Sequence, residues 1–309
     1  MNIIKNRYLY FLISVLIIAP GLIFIIINLA NNKPPLPLGI DFTGGSLLEV
    51  QFTGARPDSD LVQTAFLSVA PDSDPIIQPL GEDSYAIRSR AIDDETKGAI
   101  VAELEKQTSS TLNVLAFSSV SASVGEEVTK AAGVAILMAA AAILLYIWYA
   151  FRGVEHAIRY GTAAIFAMLH DVLVVLGVEA MLGHFLGWEA DALFLTALLT
   201  VIGFSVHDTI VVFDRIRENS HVLRRVSYET LVNHSTVQTL DRSINTQLTV
   251  MLTLFALALF GGDSIRHFVV ILLVGIFSGT YSSIFNASPI LVVWENREWQ
   301  NWFKRKATA

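Results

Sequence analysis

The chain has 309 residues, 53% of them hydrophobic, and a mean hydropathy of +0.54. That is too apolar for an ordinary water-soluble domain. A formal net charge of −7 argues against a nucleic-acid partner, and the lack of cysteine excludes disulfides and thiolate chemistry.

A bilayer core about 30 Å thick needs roughly 20 apolar residues per helix. Six runs meet that length: 8–29, 131–151, 160–181, 192–213, 238–260 and 268–294. The first is too long for a signal peptide, and no clear small-residue cleavage site follows it, so it reads as a retained helix with a kink predicted at Pro20-Gly21. Lys and Arg in the short loops set the orientation. Lys5, Arg7, Arg152, Arg159, Arg215, Arg217, Arg224, Arg225, Arg297, Lys304, Arg305 and Lys306 fall on the side of the N-terminus, against Arg266 alone in the opposite short loops. Both termini are therefore expected in the cytoplasm. The division expected is a first membrane helix at 1–30, an extracytoplasmic domain at 31–125, a five-helix bundle at 126–296 and a basic cytoplasmic tail at 297–309.

The inserted segment holds 15 of the 28 acidic residues, so the negative charge sits mainly outside. Residues 47–52 alternate, with Leu48, Val50 and Phe52 on one side, which is strand periodicity. Residues 59–69 carry Leu61, Val62, Ala65, Phe66 and Val69 at helical spacing. Residues 76–80 and 85–90 flank Gly81-Glu82-Asp83 as a hairpin. Asp93-Asp94-Glu95 opens a helix running to about Gln107, because carboxylates favour a helix N-terminus. Residues 113–119 close a βαββαβ order, the ferredoxin-like plan, which by itself assigns no function.

Charges within the bilayer cost about 2.5–3.5 kcal/mol each on insertion scales, so they ask for a reason. The third run carries His170-Asp171 near its middle, and the fourth carries His207-Asp208 in its cytoplasmic half. The fifth begins with Asp241-Arg242. It also places Ser235, Thr239, Arg242, Thr246, Thr249 and Thr253 on one helix face, suited to helix packing or a wet cavity. A carboxyl in low dielectric holds its proton more tightly and a nearby arginine releases it. Asp208, Asp171 and Arg242 are thus candidates for a proton relay, switched as Arg242 approaches or leaves Asp208. A static Asp208–Arg242 ion pair, or contact with interfacial water, is the structural alternative. The cluster Asp214, Arg215, Arg217 and Glu218 just past the fourth run also fits a plain positive-inside boundary. No HExxH, no GxxxxGK[ST] and no nucleophile elbow is present, so no enzyme activity, metal or cofactor is expected.

Four stretches together resemble the SecF family of protein-export membrane proteins: GIDFTGG at 39–45, LHDVLVVLG at 169–177, GFSVHDTIVVFDRIREN at 203–219 and QTLDRSINTQLT at 238–249. The resemblance covers about residues 5–300. It implies a six-helix half of an RND-type unit that pairs with a SecD-like subunit and promotes preprotein passage through the SecYEG channel, driven by protons. It puts the family's membrane aspartate on Asp208 and its membrane arginine on Arg242. Its loop signature falls on Asp214, Arg215, Arg217 and Glu218, and its GG motif brings in Asp41, Gly44 and Gly45. Two positions depart from the family pattern: Asp241 stands where serine is usual, and His207 where asparagine is common. The implied location is a bacterial plasma (inner) membrane; the sequence does not separate this from a thylakoid membrane. An RND-like exporter of lipids or small molecules, and a non-conducting translocon scaffold, remain as competing readings.

Overall fold

The structure is a computed structural model that describes residues 2–54, 56–152 and 157–302. The tail cations Lys304, Arg305 and Lys306 lie outside the described residues. The chain forms two compact units. One comprises Leu38–Val134 together with the short segment Glu189–Ala192, and the other holds the remaining chain.

The smaller unit begins with a one-turn helix α1 (Ile40–Thr43) and strand β1 (Gly45–Phe52). Helix α2 (Ser59–Val69), the hairpin β2 (Ile76–Leu80) and β3 (Ser84–Ser89), helix α3 (Asp94–Thr108) and strand β4 (Leu112–Val120) follow. The sheet order is β2-β3-β1-β4, antiparallel throughout, which is the ferredoxin-like topology read from the sequence. Pro79 sits in β2, an edge strand, where its missing N–H breaks no ladder. Leu48, Val50 and Phe52 of β1 and Ile87 of β3 form one core with Val62 and Phe66 of α2 and Ile100 and Leu104 of α3. Each helix is capped as its sequence suggests: Asp58 accepts from the Asp60 amide, and Asp93 from the Thr96 amide.

Among the described residues, six helical spans, lying mainly in the larger unit, are long and apolar enough to cross a membrane, so the protein is a multi-pass membrane protein. Their helices are α4 (Arg7–Ala30), α5 (Ala122–Phe151), α6 (Ala157–Leu186), α7 (Ala192–Val222), α8 (Tyr228–Phe260) and α9 (Asp263–Ser282). A π-helical turn, Ser283–Ala287, joins α9 to α10 (Ser288–Glu295) within the sixth span, and α11 (Trp299–Trp302) follows. Several helices outrun the apolar segments that announce them, because polar turns extend them beyond the hydrocarbon. α8 starts ten residues before the apolar run at 238, so Arg242 lies 14 residues into it, about 21 Å from its first turn.

Pro20 lies within a continuous α4. Its neighbour Gly21 has a packing role: a Cβ built there would come within 2.3 Å of the Gly177 Cα on α6, so only two glycines allow this crossing. Gly275 of α9 meets Val201 of α7 in a similar way, at 2.1 Å from a methyl group. At the amino-terminal end of α4, Arg7 pairs with Glu298 at 2.6 Å and Glu229 at 3.5 Å. Burial opposes the charge on Glu298, but bonds from Arg7, Tyr8 and Asn296 outweigh it and hold this carboxyl below its usual range.

Candidate functional site

The helix bundle buries two aspartates among serine hydroxyls. Asp171, from the middle of α6, is 1% exposed and accepts bonds on both oxygens. Ser205 of α7 donates at 2.5 Å, Ser278 and Ser282 of α9 at 2.6 Å each, and His170 Nδ1 lies 2.9 Å away. Asp208 of α7 is 5% exposed and has fewer donors: Ser243 of α8 at 2.7 Å and Ser283 at 2.5 Å, one on each oxygen. The two sites are linked twice. Ser205 and Asp208 are one turn apart on α7, and Ser282 and Ser283 are consecutive, one donating to each aspartate. Ser283 opens the π-helical turn, a distortion of the helix often found at functional sites.

Polar atoms with no hydrogen-bond partner among the described residues gather nearby. His170 Nε2 is one, on the histidine beside Asp171. Thr209 Oγ1, next to Asp208 in sequence, and Gln247 Oε1, one turn beyond Ser243, are two more. These are groups that can bind water or a proton in transit, and leaving them unpaired disfavours a rigid closed core.

Arg242 does not point at Asp208. It is exposed, makes no ion pair with Asp208 among the described residues, and lines an open groove with Asp214, Arg217 and Phe151. The static-pair alternative is thus absent from this conformation, and Ser243 holds the place beside Asp208. Asp241 and His207 are exposed as well. The charge cluster past the fourth span resolves into two pairs, Asp214–Arg217 at 2.5 Å and Arg215–Glu218 at 2.8 Å, with Arg217 also donating to the Ala150 carbonyl.

The hydroxyl face predicted on the fifth span divides. Ser235 and Thr239 are buried, whereas Arg242, Thr246, Thr249 and Thr253 are exposed and the three threonines bond back to their own helix. The buried face instead continues through Ser243 and Gln247, a spacing of four that turns steadily around a 3.6-residue helix.

The GIDFTGG motif builds a tight corner within the smaller unit. Gly44 and Gly45 have φ of +72° and +122°, backbone that other residues adopt only with strain. A Cβ on Gly44 would lie 2.7 Å from the Ala122 Cα, and one on Gly45 2.6 Å from the Ser89 carbonyl oxygen. Asp41 accepts from the backbone N–H of Ala192 at 2.9 Å, satisfying the first free amide of α7. In the same unit, Arg88 bonds Glu189 at 2.5 Å and the Leu38 carbonyl, and the Gly39 amide donates to the Ala190 carbonyl. Burial pushes the Glu189 carboxyl up, Arg88 offsets part of that, and Asp191 adds to it.

The serines that solvate the aspartates were not singled out from the sequence. Ser278, Ser282 and Ser283 stand as a cluster of small hydroxyls in an otherwise apolar sixth run, which is the signal that could have found them.

Comparison with known proteins agrees with this architecture. Residues 100–297 match the family described as protein export membrane protein SecD/SecF, C-terminal, and residues 33–55 match the SecD/SecF GG motif. The chain is 51% identical over 308 residues to the protein translocase subunit SecF of Anaerolinea thermophila, covering 99% of this chain and 98% of that one. The SecF of Thermobaculum terrenum is 47% identical over 99% of this chain and 97% of its own. The crystal structure of SecDF from Thermus thermophilus, described as a translocon-associated membrane protein, superposes with a TM-score of 0.78 at 32% identity over 96% of this chain. This chain spans 39% of that SecDF chain, whose RND-like fold it shares in part. By sequence over its whole length and by fold, the chain belongs to the SecF family of protein-export membrane proteins.

Proposed function

We propose that the chain acts in protein export as the SecF-type subunit of a SecD–SecF accessory complex, using the proton-motive force to promote preprotein passage through a SecYEG-type channel. The observation that carries the proton part is the pair of buried carboxylates, Asp171 and Asp208, bridged by consecutive serines in a bundle of apolar helices. Two such groups in a membrane are expensive unless they serve transport. Asp208 is the group that takes up and releases the proton, and Asp171 passes it along the serine chain. Arg242 and Ser243 are consecutive on α8, so a rotation of that helix exchanges one for the other at Asp208 and makes its proton affinity depend on helix position.

One charge crossing 100 mV is worth about 2.3 kcal/mol, enough to bias a two-state equilibrium roughly fifty-fold. That bias shifts the posture of the ferredoxin-like domain and so resists backsliding of the exported chain. In this reading Asp41, Gly44 and Gly45, and the loop residues Asp214, Arg215, Arg217 and Glu218, transmit movement rather than protons. The positive-inside count supports both termini cytoplasmic, in a bacterial plasma membrane or a thylakoid membrane. A SecD-like partner is supported by α8: Asp241, Arg242, Asn245, Thr246 and Thr249 form an exposed polar surface within a membrane span, and lipid is a poor environment for it.

The test is gradient-dependent export in sealed vesicles holding the complete translocase. Asp208→Asn and Arg242→Ala should each remove most of the stimulation by the proton gradient and leave the ATP-driven stage intact. Unchanged stimulation in Asp208→Asn would sink the proton reading and favour a scaffold.

A further inference from the structure

A third buried acid lies in the bundle, outside the site described above. Glu179 on α6 has no exposed surface, and its Oε2 is 2.7 Å from His267 Nε2 on α9. Its other oxygen, Oε1, has no hydrogen-bond partner among the described residues. The His267 ring lies against Trp188 and Phe194, with centroids 4.8 and 6.3 Å apart, yet 16% of its side chain remains exposed. The pair is thus an acid wholly inside the protein joined to a base that reaches its surface.

Among the described residues, Glu179 and His267 are bonded to no other ionisable side chain. α6 carries Asp171 about two turns before Glu179 and His184 just over one turn beyond it. α9 has Arg266 beside His267 and then no ionisable side chain until Tyr281. α7 has none between Ala192 and His207, and α4 none between Tyr10 and Lys33. Glu189, the residue after Trp188, is already engaged by Arg88.

A buried carboxylate with a single hydrogen-bond partner is poorly stabilised as an isolated anion. Sharing one proton with His267 keeps the pair neutral overall, whichever partner holds it. One proton can therefore arrive on the ring nitrogen that does not face Glu179 while the proton between Nε2 and Oε2 moves to Glu179. With the pair resting as a neutral ring protonated on Nε2 and a Glu179 carboxyl protonated on Oε1, that second proton leaves from Oε1 as the first reaches Oε2, and the charge of the pair is unchanged. Because spans alternate in direction, the end of α6 beyond Glu179 is on the side of the membrane where the inserted domain emerges. Glu179 and Asp171 are eight residues apart on one helix, about 12 Å of rise, a gap for a short water chain.

We propose that Glu179 and His267 form the proton-access site on the domain side of the bundle, handing protons between water and Asp171. This rests on the proton reading above. The test uses the full chain with its SecD-type partner in sealed vesicles, comparing Glu179→Gln, Glu179→Asp, His267→Gln and Asp208→Asn. Proton uptake and gradient-driven export are followed against the pH on the domain side. Glu179→Gln should slow both at least tenfold with an unchanged unfolding temperature, and Glu179→Asp should restore part of the rate. His267→Gln should flatten the dependence on domain-side pH. Wild-type rates and pH profile in Glu179→Gln, with Asp208→Asn inactive, would overturn this proposal and leave the proton reading standing. Full activity in Asp208→Asn would overturn both. Should Glu179→Gln fail to fold, an unaltered pH profile in His267→Gln decides against the site.

Discussion

Asp171 and Asp208 sit in the same bundle, on neighbouring helices, yet they are held differently. Asp171 has three serine hydroxyls and a histidine nitrogen around its two oxygens. Asp208 has one serine on each oxygen, and among the described residues Thr209 Oγ1, next to it in sequence, and Gln247 Oε1, one turn beyond Ser243, have no hydrogen-bond partner. A carboxylate with a full shell of donors is held in place, whereas one with a sparse shell can change partners. Under the proton reading proposed above, the fuller shell suits Asp171 to holding the bundle together and the sparser one suits Asp208 to the moving step.

Truncation should separate the two most widely. Hydrogen bonds between membrane helices average about 0.6 kcal/mol each, so Asp171→Ala should destabilise by roughly 2–3 kcal/mol and Asp208→Ala by roughly 1 kcal/mol. Thermal unfolding in detergent checks this, and equal losses would erase the distinction. A smaller contrast should appear between the consecutive serines. Ser282→Ala should lower stability by about 0.6 kcal/mol with gradient dependence retained, whereas Ser283→Ala should alter the gradient dependence for a similar loss. Smaller again on stability is Arg242→Ala: the side chain is exposed, so unfolding should move by no more than about 0.5 kcal/mol. Its expected effect is on export, and a stability loss beyond that would mean Arg242 is part of the frame.

The smallest expected effect lies in the ferredoxin-like domain. Side-chain and backbone bonds from Thr96 hold the Asp93 carboxyl below its usual range. A depressed carboxyl stabilises the fold above its unfolded-state value and loses that contribution as pH falls through the folded one. Protection factors of the amides in the first turn of α3, taken relative to the intrinsic exchange rate at each pH, should therefore fall as the medium is acidified through the carboxylate range, and Asp93→Asn should lack that response.

The fold was legible because its signals are local and periodic. Apolar length announced the six spans, and alternation in 47–52 with the turn at 81–83 announced the sheet. The aspartates were legible too, since a charge inside an apolar run stands out. What the sequence did not show was who meets whom. Ser243, not its neighbour Arg242, faces Asp208, because one residue turns a helix by about 100° and the run alone does not fix that phase. Glu179 obeys the same rule as Asp171 and sits inside the run at 160–181. It was passed over because the His-Asp dipeptides drew the reading to themselves, and its partner His267 lies 88 residues away.

The bond from Ala192 to Asp41 also bears on how the protein is made. The first amide of α7 donates to Asp41, 151 positions earlier in the chain. Under the proposed topology, that bond forms only once the segment has crossed the membrane and made its corner at Gly44-Gly45. A chain whose inserted domain fails to cross should leave the beginning of α7 frayed, exposing it to quality-control proteases before the carboxylates further along the helix have gathered their hydroxyls.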